Sequence, residues 1–407
     1  MNITFLIGNG FDRALGLRTS YSHFYEEYCG LKSGIELIDK FRKTIDDDIK
    51  KEDEQEEKLW SDAELGLAKV TADYNLADFV TCCEDMHDRL TEYLEKQDEK
   101  FPGNGECFEK IVQLFSAHIV EFQQDLTPTE RKLFLKIRDN DKTSDTLINI
   151  VTLNYTSTSD KIHKALSEKP LASWSTNWGA RHVKMGQLVH AHGYIDNFPI
   201  LGVCNPDLIV NKDYLNDPAF RALMIKKESI RAVGQTWRED TYSLINNSSI
   251  ICVFGASLGK SDSDYWEQIA KWLKGAESRR LIIFSFDPKI KKTNVSYYQQ
   301  YVKQQEVRDK FLDFTDYDAT TRTKLCERIH VVINAQHIFA LPDELKVKYP
   351  EKKKTGVLPV PNAIVNNTDG MTVLAEATAK VLQTEFAKPA AMIAEKFGEL
   401  AKSLPLD

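Results

Sequence analysis

The chain of 407 residues has no run of about 18 consecutive apolar residues, the length at which a segment becomes a candidate to cross a bilayer. No membrane association is expected from it. Its first residues, Met1-Asn2-Ile3-Thr4, lack the basic segment and small-residue cleavage site of a secretory leader, so the cytoplasm is the expected compartment. Cysteine is sparse: Cys29, Cys82, Cys83, Cys107, Cys204, Cys252 and Cys326 are odd in number and contain no C-x-x-C pair. That excludes the usual zinc and dithiol motifs and reads as reduced, mostly buried thiols, with no metal expected. Basic charge is in deficit, with 53 Lys and Arg against 61 Asp and Glu and a formal net charge of -8. A broad nucleic-acid groove, which needs cations in excess to displace phosphate counterions, is therefore not expected. Internal repeats and low-complexity segments are missing as well.

What is present is a globular composition, 42% hydrophobic, enough for a sizeable core. Six short apolar runs, at residues 3–7, 146–153, 187–191, 250–254, 281–286 and 329–333, are continuous rather than alternating, the pattern of strands covered on both faces. Helical periodicity separates several of them, which predicts an α/β fold with a doubly wound, mostly parallel Rossmann-like sheet. Residues 1–30 and 146–340 would form that core. Residues 31–145, too long for a simple crossover, predict a large helical insertion, with an acidic run at 46–57 as a solvated helix face or flexible tip. Ser61-Asp62-Ala63-Glu64 fits a capping box; in the alternative reading Trp60 and Glu64 line the active cleft. Residues 341–407 carry loop prolines (Pro342, Pro350, Pro359, Pro361) and then a helical stretch at 371–404, interrupted at Pro389, whose apolar face would dock on the core or on a second copy.

Chemistry-bearing residues fall at the ends of the predicted strands. The first strand runs into Gly8-Asn9-Gly10 and then a helix, an arrangement that can bring bare amides and a helix N-terminus to a phosphate. A plain tight turn explains the same glycines, and Asp12 reads equally as a helix cap or a group facing sugar hydroxyls. Asn154 closes the second strand, either as a holder of water or ribose hydroxyls or as a cap of the following helix. His192, before Gly193, is a candidate general base, since imidazole accepts a proton near neutrality; His190 reads as structural. Gly255-Ala256-Ser257 can offer amides and a hydroxyl, and Asp262 or Asp287 could take a ribose diol, with capping the alternative for Asp262 and Asp264. In a parallel sheet all of these ends meet at one rim.

The segments "FLIGNGFDRALGLRTSYSHF", "TLNYTS", "HAHGYID" and "FGASLGKSDSDYW", in this order, resemble the AbiH-type bacteriophage abortive-infection family. More distantly they resemble sirtuin-like NAD-binding domains: Gly8-Asn9-Gly10-Phe11 with Gly16-Leu17 stands where sirtuins have Gly-Ala-Gly-Ile and Gly-Ile. Thr152-Leu153-Asn154-Tyr155-Thr156 is similar to Thr-Gln-Asn-Ile-Asp, His192-Gly193 to the catalytic His-Gly, and Gly255-Ala256-Ser257-Leu258 to Gly-Thr-Ser-Leu. Thr156, Asn9, Asp12 and Arg18 depart from that pattern, and the four-cysteine zinc ribbon is missing, which points away from peptide deacetylation. The resemblance implies a sirtuin-like core, NAD as substrate, hydrolysis to nicotinamide and ADP-ribose, and Asn154 and His192 as the reacting pair. Gly8, Asn9, Gly10, Asp12, Gly255, Ser257, Asp262 and Asp287 are the expected binding residues. A homo-oligomer or a partner defence protein is the expected assembly. The alternatives are a catalytically silent nucleotide-binding sensor or scaffold, and a metal-dependent nuclease built on Asp12, Glu64 and Asp262.

Overall fold

In the computed structural model, the described residues are 1–52, 59–142, 145–290 and 297–350. The end of the acidic run and the predicted tail helix lie outside them. Residues Met1–Lys348 form one compact unit. Its centre is a seven-stranded sheet in the order β3-β4-β2-β1-β5-β6-β7. The strands are β1 (Asn2–Ile7), β2 (Thr146–Thr152), β3 (Ala172–Thr176), β4 (Gly179–His190), β5 (Ile250–Phe254), β6 (Arg280–Ser285) and β7 (Ile329–Ile333). β4, β2, β1, β5, β6 and β7 run parallel to their neighbours, while β3 pairs antiparallel with β4. The sheet is therefore mixed. The expected doubly wound, mostly parallel Rossmann-like arrangement is met only as a mixed α/β chain with this seven-stranded sheet.

β1 shows why continuous apolar runs make central strands. Ile3, Phe5 and Ile7 enter one hydrophobic cluster with Phe11, Ile111, Phe115 and Phe339, whereas Leu6 enters a second with Val151, Val253, Trp266, Ile269 and Phe311. Alternate side chains leave opposite faces of a strand, so both faces must be apolar. The edge is different: β3 reads Ala-Ser-Trp-Ser-Thr and is only half-buried on alternate residues. No apolar run marks it. For the same reason β4 begins at Gly179, well before the predicted residue 187, because its outer half pairs only with β3 and the first residues of β2.

Fourteen helices are described: α1 (Gly10–Ala14), α2 (Tyr21–Tyr28), α3 (Glu36–Glu52), α4 (Ala63–Val70), α5 (Leu76–Asp98), α6 (Gly105–Val120), α7 (Pro128–Asn140), α8 (Thr158–Leu166), α9 (Pro218–Met224), α10 (Lys226–Ala232), α11 (Trp237–Asn246), α12 (Ser263–Lys274), α13 (Tyr297–Leu312) and α14 (Ala319–Cys326). Helices α2 to α5 and α9 share a third cluster containing Phe24, Tyr28, Phe41, Phe79, Phe220 and Met224. The expected capping box does not form, and the cap falls one residue later, on Asp62. Ser61 belongs to a short 3-10 turn, and Asp62 caps α4 by accepting from the Leu65 amide at 3.2 Å. Glu64 consequently does not reach back to cap the helix but lies buried, 5% exposed. No described helix is long and apolar enough to cross a membrane.

Candidate functional site

The C-terminal ends of the parallel strands lie along one edge, and the strand order sets residues 8–10 between the loop after β2 and the loop after β5. The loop after β4, with His192, is next to that after β2. Asn154 and His192 thus stand two residues beyond the ends of adjacent strands. Asp287, beyond β6, is outside this group: its carboxylate contacts Lys303 Nζ at 3.4 Å and the Lys289 amide at 2.9 Å.

The glycine turn does not face open space. A Cβ on Gly10 would lie 2.4 Å from Gly255 Cα, and one on Gly8 would lie 2.7 Å from Ala256 Cα. The Gly8 amide donates to Phe254 O at 2.9 Å and the Gly10 amide to Gly255 O at 2.8 Å. These glycines let two loops touch backbone to backbone, and Gly255 needs its own lack of a side chain because its φ is +67°. The expected phosphate cradle is corrected accordingly: the Gly8 and Gly10 amides are already bonded within the protein. Other donors remain. The amides of Ala256 and Ser257 have no acceptor among the described residues, and Asn9, whose Oδ1 accepts from the Thr19 hydroxyl, has Nδ2 to offer.

Asp12 is neither a cap nor open to sugar. It lies inside α1, 1% exposed, and accepts from the Thr156 hydroxyl at 2.7 Å and the Thr158 hydroxyl at 2.8 Å. Burial raises its pKa to about 6, against the lowering effect of those two hydrogen bonds. Asn154 is not a helix cap either, since α8 starts at Thr158 and its N-terminus is held by Asp98 of α5, which accepts from the Ser157 amide at 2.8 Å and its hydroxyl at 2.6 Å. Asn154 is 6% exposed; its Nδ2 makes no hydrogen bond of full geometry, although the side chain lies near enough to Asp12 to lower that carboxyl's pKa. A buried amide without a full hydrogen bond is uncommon and marks a place for water or a ligand group.

The sequence named His192, Asp262 and, as an alternative, Glu64, but not the lysine that joins them. His192 Nε2 is 3.0 Å from Asp262 Oδ1, and that same oxygen accepts from Lys226 Nζ at 2.5 Å. Lys226 also lies 3.4 Å from Glu64 Oε1 and donates to Ser261 O at 3.3 Å. Ser261 in turn donates its hydroxyl to Asp62 at 2.6 Å. Lys226 is 2% exposed. Burial lowers its pKa, but Asp262 and Glu64 outweigh burial and hold the ammonium well above the usual lysine value. For Asp262, burial opposes the charge, yet Lys226 and His192 keep it below the ordinary carboxylate range. Glu64 goes the other way, pushed up by burial more than Lys226 draws it down. Burial and then the Lys226 charge lower the His192 pKa against the pull of Asp262, and the net shift favours the neutral imidazole.

Asp262 occupies the cap position of α12 without making a capping bond. The Lys226 ammonium sits between Glu64 and Asp262, where the alternative metal-dependent nuclease would need a divalent ion, and Asp12 is committed to its threonines. His190 is held through both ring nitrogens, at 3.1 Å from Asn154 O and 2.8 Å from Asp160 Oδ2. Ser257 is exposed. The two rings beside His192, Tyr155 at 6.4 Å and Tyr265 at 5.8 Å between centroids, complete its surroundings. Nothing in the sequence around Lys226, which opens α10 as "KKESIRA", separates it from a solvated helix face.

Residues 4–284 match the family model described as bacteriophage abortive infection AbiH. No curated protein matches the chain.

Proposed function

The chain belongs to the bacteriophage abortive infection AbiH family, and on that premise we propose that it is an abortive-infection effector that hydrolyses NAD to nicotinamide and ADP-ribose. One observation carries the reading. A buried imidazole, His192, and a buried amide, Asn154, whose Nδ2 makes no hydrogen bond of full geometry, stand beyond the ends of neighbouring strands, a base and an orienting group of the kind suited to water attack on a glycosidic bond. The C–N bond to nicotinamide breaks with its electron pair leaving on the pyridine nitrogen, so the ring departs neutral. Water adds its oxygen to the ribose C1′, and its proton passes to His192 and then to solvent. Asn154 orients the water or the ribose hydroxyls. The Ala256 and Ser257 amides and Asn9 Nδ2 are the donors suited to the pyrophosphate.

Chromatography of NAD incubated with the purified protein tests this. Nicotinamide and ADP-ribose should accumulate, and His192→Ala should lower the rate by about 10² to 10⁴ fold, the usual worth of a positioned base. Intact NAD with the wild-type protein refutes the hydrolase. A nucleotide sensor without turnover is the second reading, favoured by one feature: His192 is only 4% exposed. Calorimetric binding of NAD without product would establish that alternative.

A further inference from the structure

The proposed base has a support that lies outside the four sequence segments discussed above. Asp262 is reached from one side by His192 and from the other by Lys226, and Lys226 is braced by Glu64 of α4 and by its own amide, which donates to Val203 O at 3.0 Å. The groups facing His192 are Asp262 before α12, Lys226 of α10, Asp62 before α4, Tyr155 after β2 and Tyr265 of α12; Glu64 and Cys204 stand behind Lys226. A lone ammonium in such a place is costly unless it has a task or a full set of partners. Here it neutralises the one carboxylate that touches the imidazole.

We propose that Lys226 is the positioning residue of the hydrolysis: it keeps Asp262 anionic beside His192 Nε2, so the ring holds its proton there and presents the Nδ1 lone pair to water. The proposal rests on the hydrolase reading for its kinetic consequence, but the tautomer it requires can be read without turnover. The Nε2 contact with Asp262 is short but off the direction of a straight N–H bond, as catalytic contacts often are before substrate tightens them. A second consequence concerns charge. With Lys226 present, a proton on His192 is opposed by a neighbouring cation; without it, Asp262 would pair with an imidazolium and the base would be occupied.

The test is nitrogen NMR of histidine-labelled full-length protein, paired with pH profiles of NAD hydrolysis, for the wild type and Lys226→Met. The wild type should show His192 neutral with its proton on Nε2 at pH 7. In Lys226→Met the histidine pKa and the acid limb of kcat/KM should both move up by about one pH unit or more. A folded Lys226→Met that loses rate with neither quantity moved overturns the proposal, since a merely structural lysine would act that way. If Lys226→Met does not fold, Asp262→Asn reads the same link: the proton should shift toward Nδ1, and an unchanged Nε2 tautomer overturns it. Absence of NAD turnover in a wild type with the stated tautomer refutes the hydrolase and leaves the Lys226–Asp262–His192 arrangement standing, whereas Nδ1–H in the wild type refutes the arrangement itself.

Discussion

Replacing Gly10 with alanine separates two reasons for a glycine at the end of β1. If the residue were kept bare to admit a ligand, a methyl group would weaken binding and leave the protein as stable as before. The structure gives the other reason. The new Cβ would meet Gly255 Cα at 2.4 Å, Gly255 O at 3.0 Å and Gly255 C at 3.1 Å, all backbone atoms that no side-chain rotation can move. The two loops must separate, and the 2.8 Å bond from the Gly10 amide to Gly255 O lengthens or breaks. Overpacking costs about 1–3 kcal/mol, and one lost hydrogen bond adds about 0.5–1.5 kcal/mol. Gly10→Ala should therefore destabilise the compact unit by roughly 2–4 kcal/mol. Urea unfolding followed by tryptophan fluorescence measures it, because Trp266 packs on β5 in the same cluster as Val253. A loss below about 0.5 kcal/mol, the ordinary range of an indifferent substitution, would refute the close-contact argument.

Asp12 makes stability depend on pH in an unusual direction. Its folded pKa of about 6 lies above the ordinary aspartate value of 3.8, so the folded state binds the proton more tightly, and the stabilisation present below about pH 4 is lost as pH rises through about 6. The loss is on the order of 3 kcal/mol, and Asp12→Asn should flatten that part of a urea-unfolding pH series; parallel curves would count against it. Asp62→Ala removes the α4 cap and the Ser261 partner and should cost about 1–2 kcal/mol in the same assay, while no change would mean that another group caps the helix. Phe339 meets Phe5, Phe11, Phe115 and Phe254, with centroids 4.7–6.2 Å away. Phe339→Ala should lower stability by about 3–5 kcal/mol, and a value under 1 kcal/mol would show that these rings repack without it.

By itself the sequence determined the central strands and the rim. β1, β5, β6 and β7 each carry a run of apolar residues, and a strand buried on both faces has to be written that way in consecutive positions. The residue types just beyond the strand ends, Asn154 and His192 among them, were legible for the same reason, because parallel pairing brings those ends to one edge whatever the loops do. Tertiary structure alone decided what the residues do there. β3 is polar and half-exposed, so its pairing with β4 left no local mark. The close approach of Gly8 and Gly10 to Gly255 and Ala256 depends on how two distant loops meet, and a glycine looks alike whether a ligand or a backbone fills the space beside it. Lys226 gains its partners from α4, from the turn before α12 and from the loop after β4. An ammonium's charge and burial are set by what surrounds it, and no spacing along the chain records surroundings drawn from three separate elements.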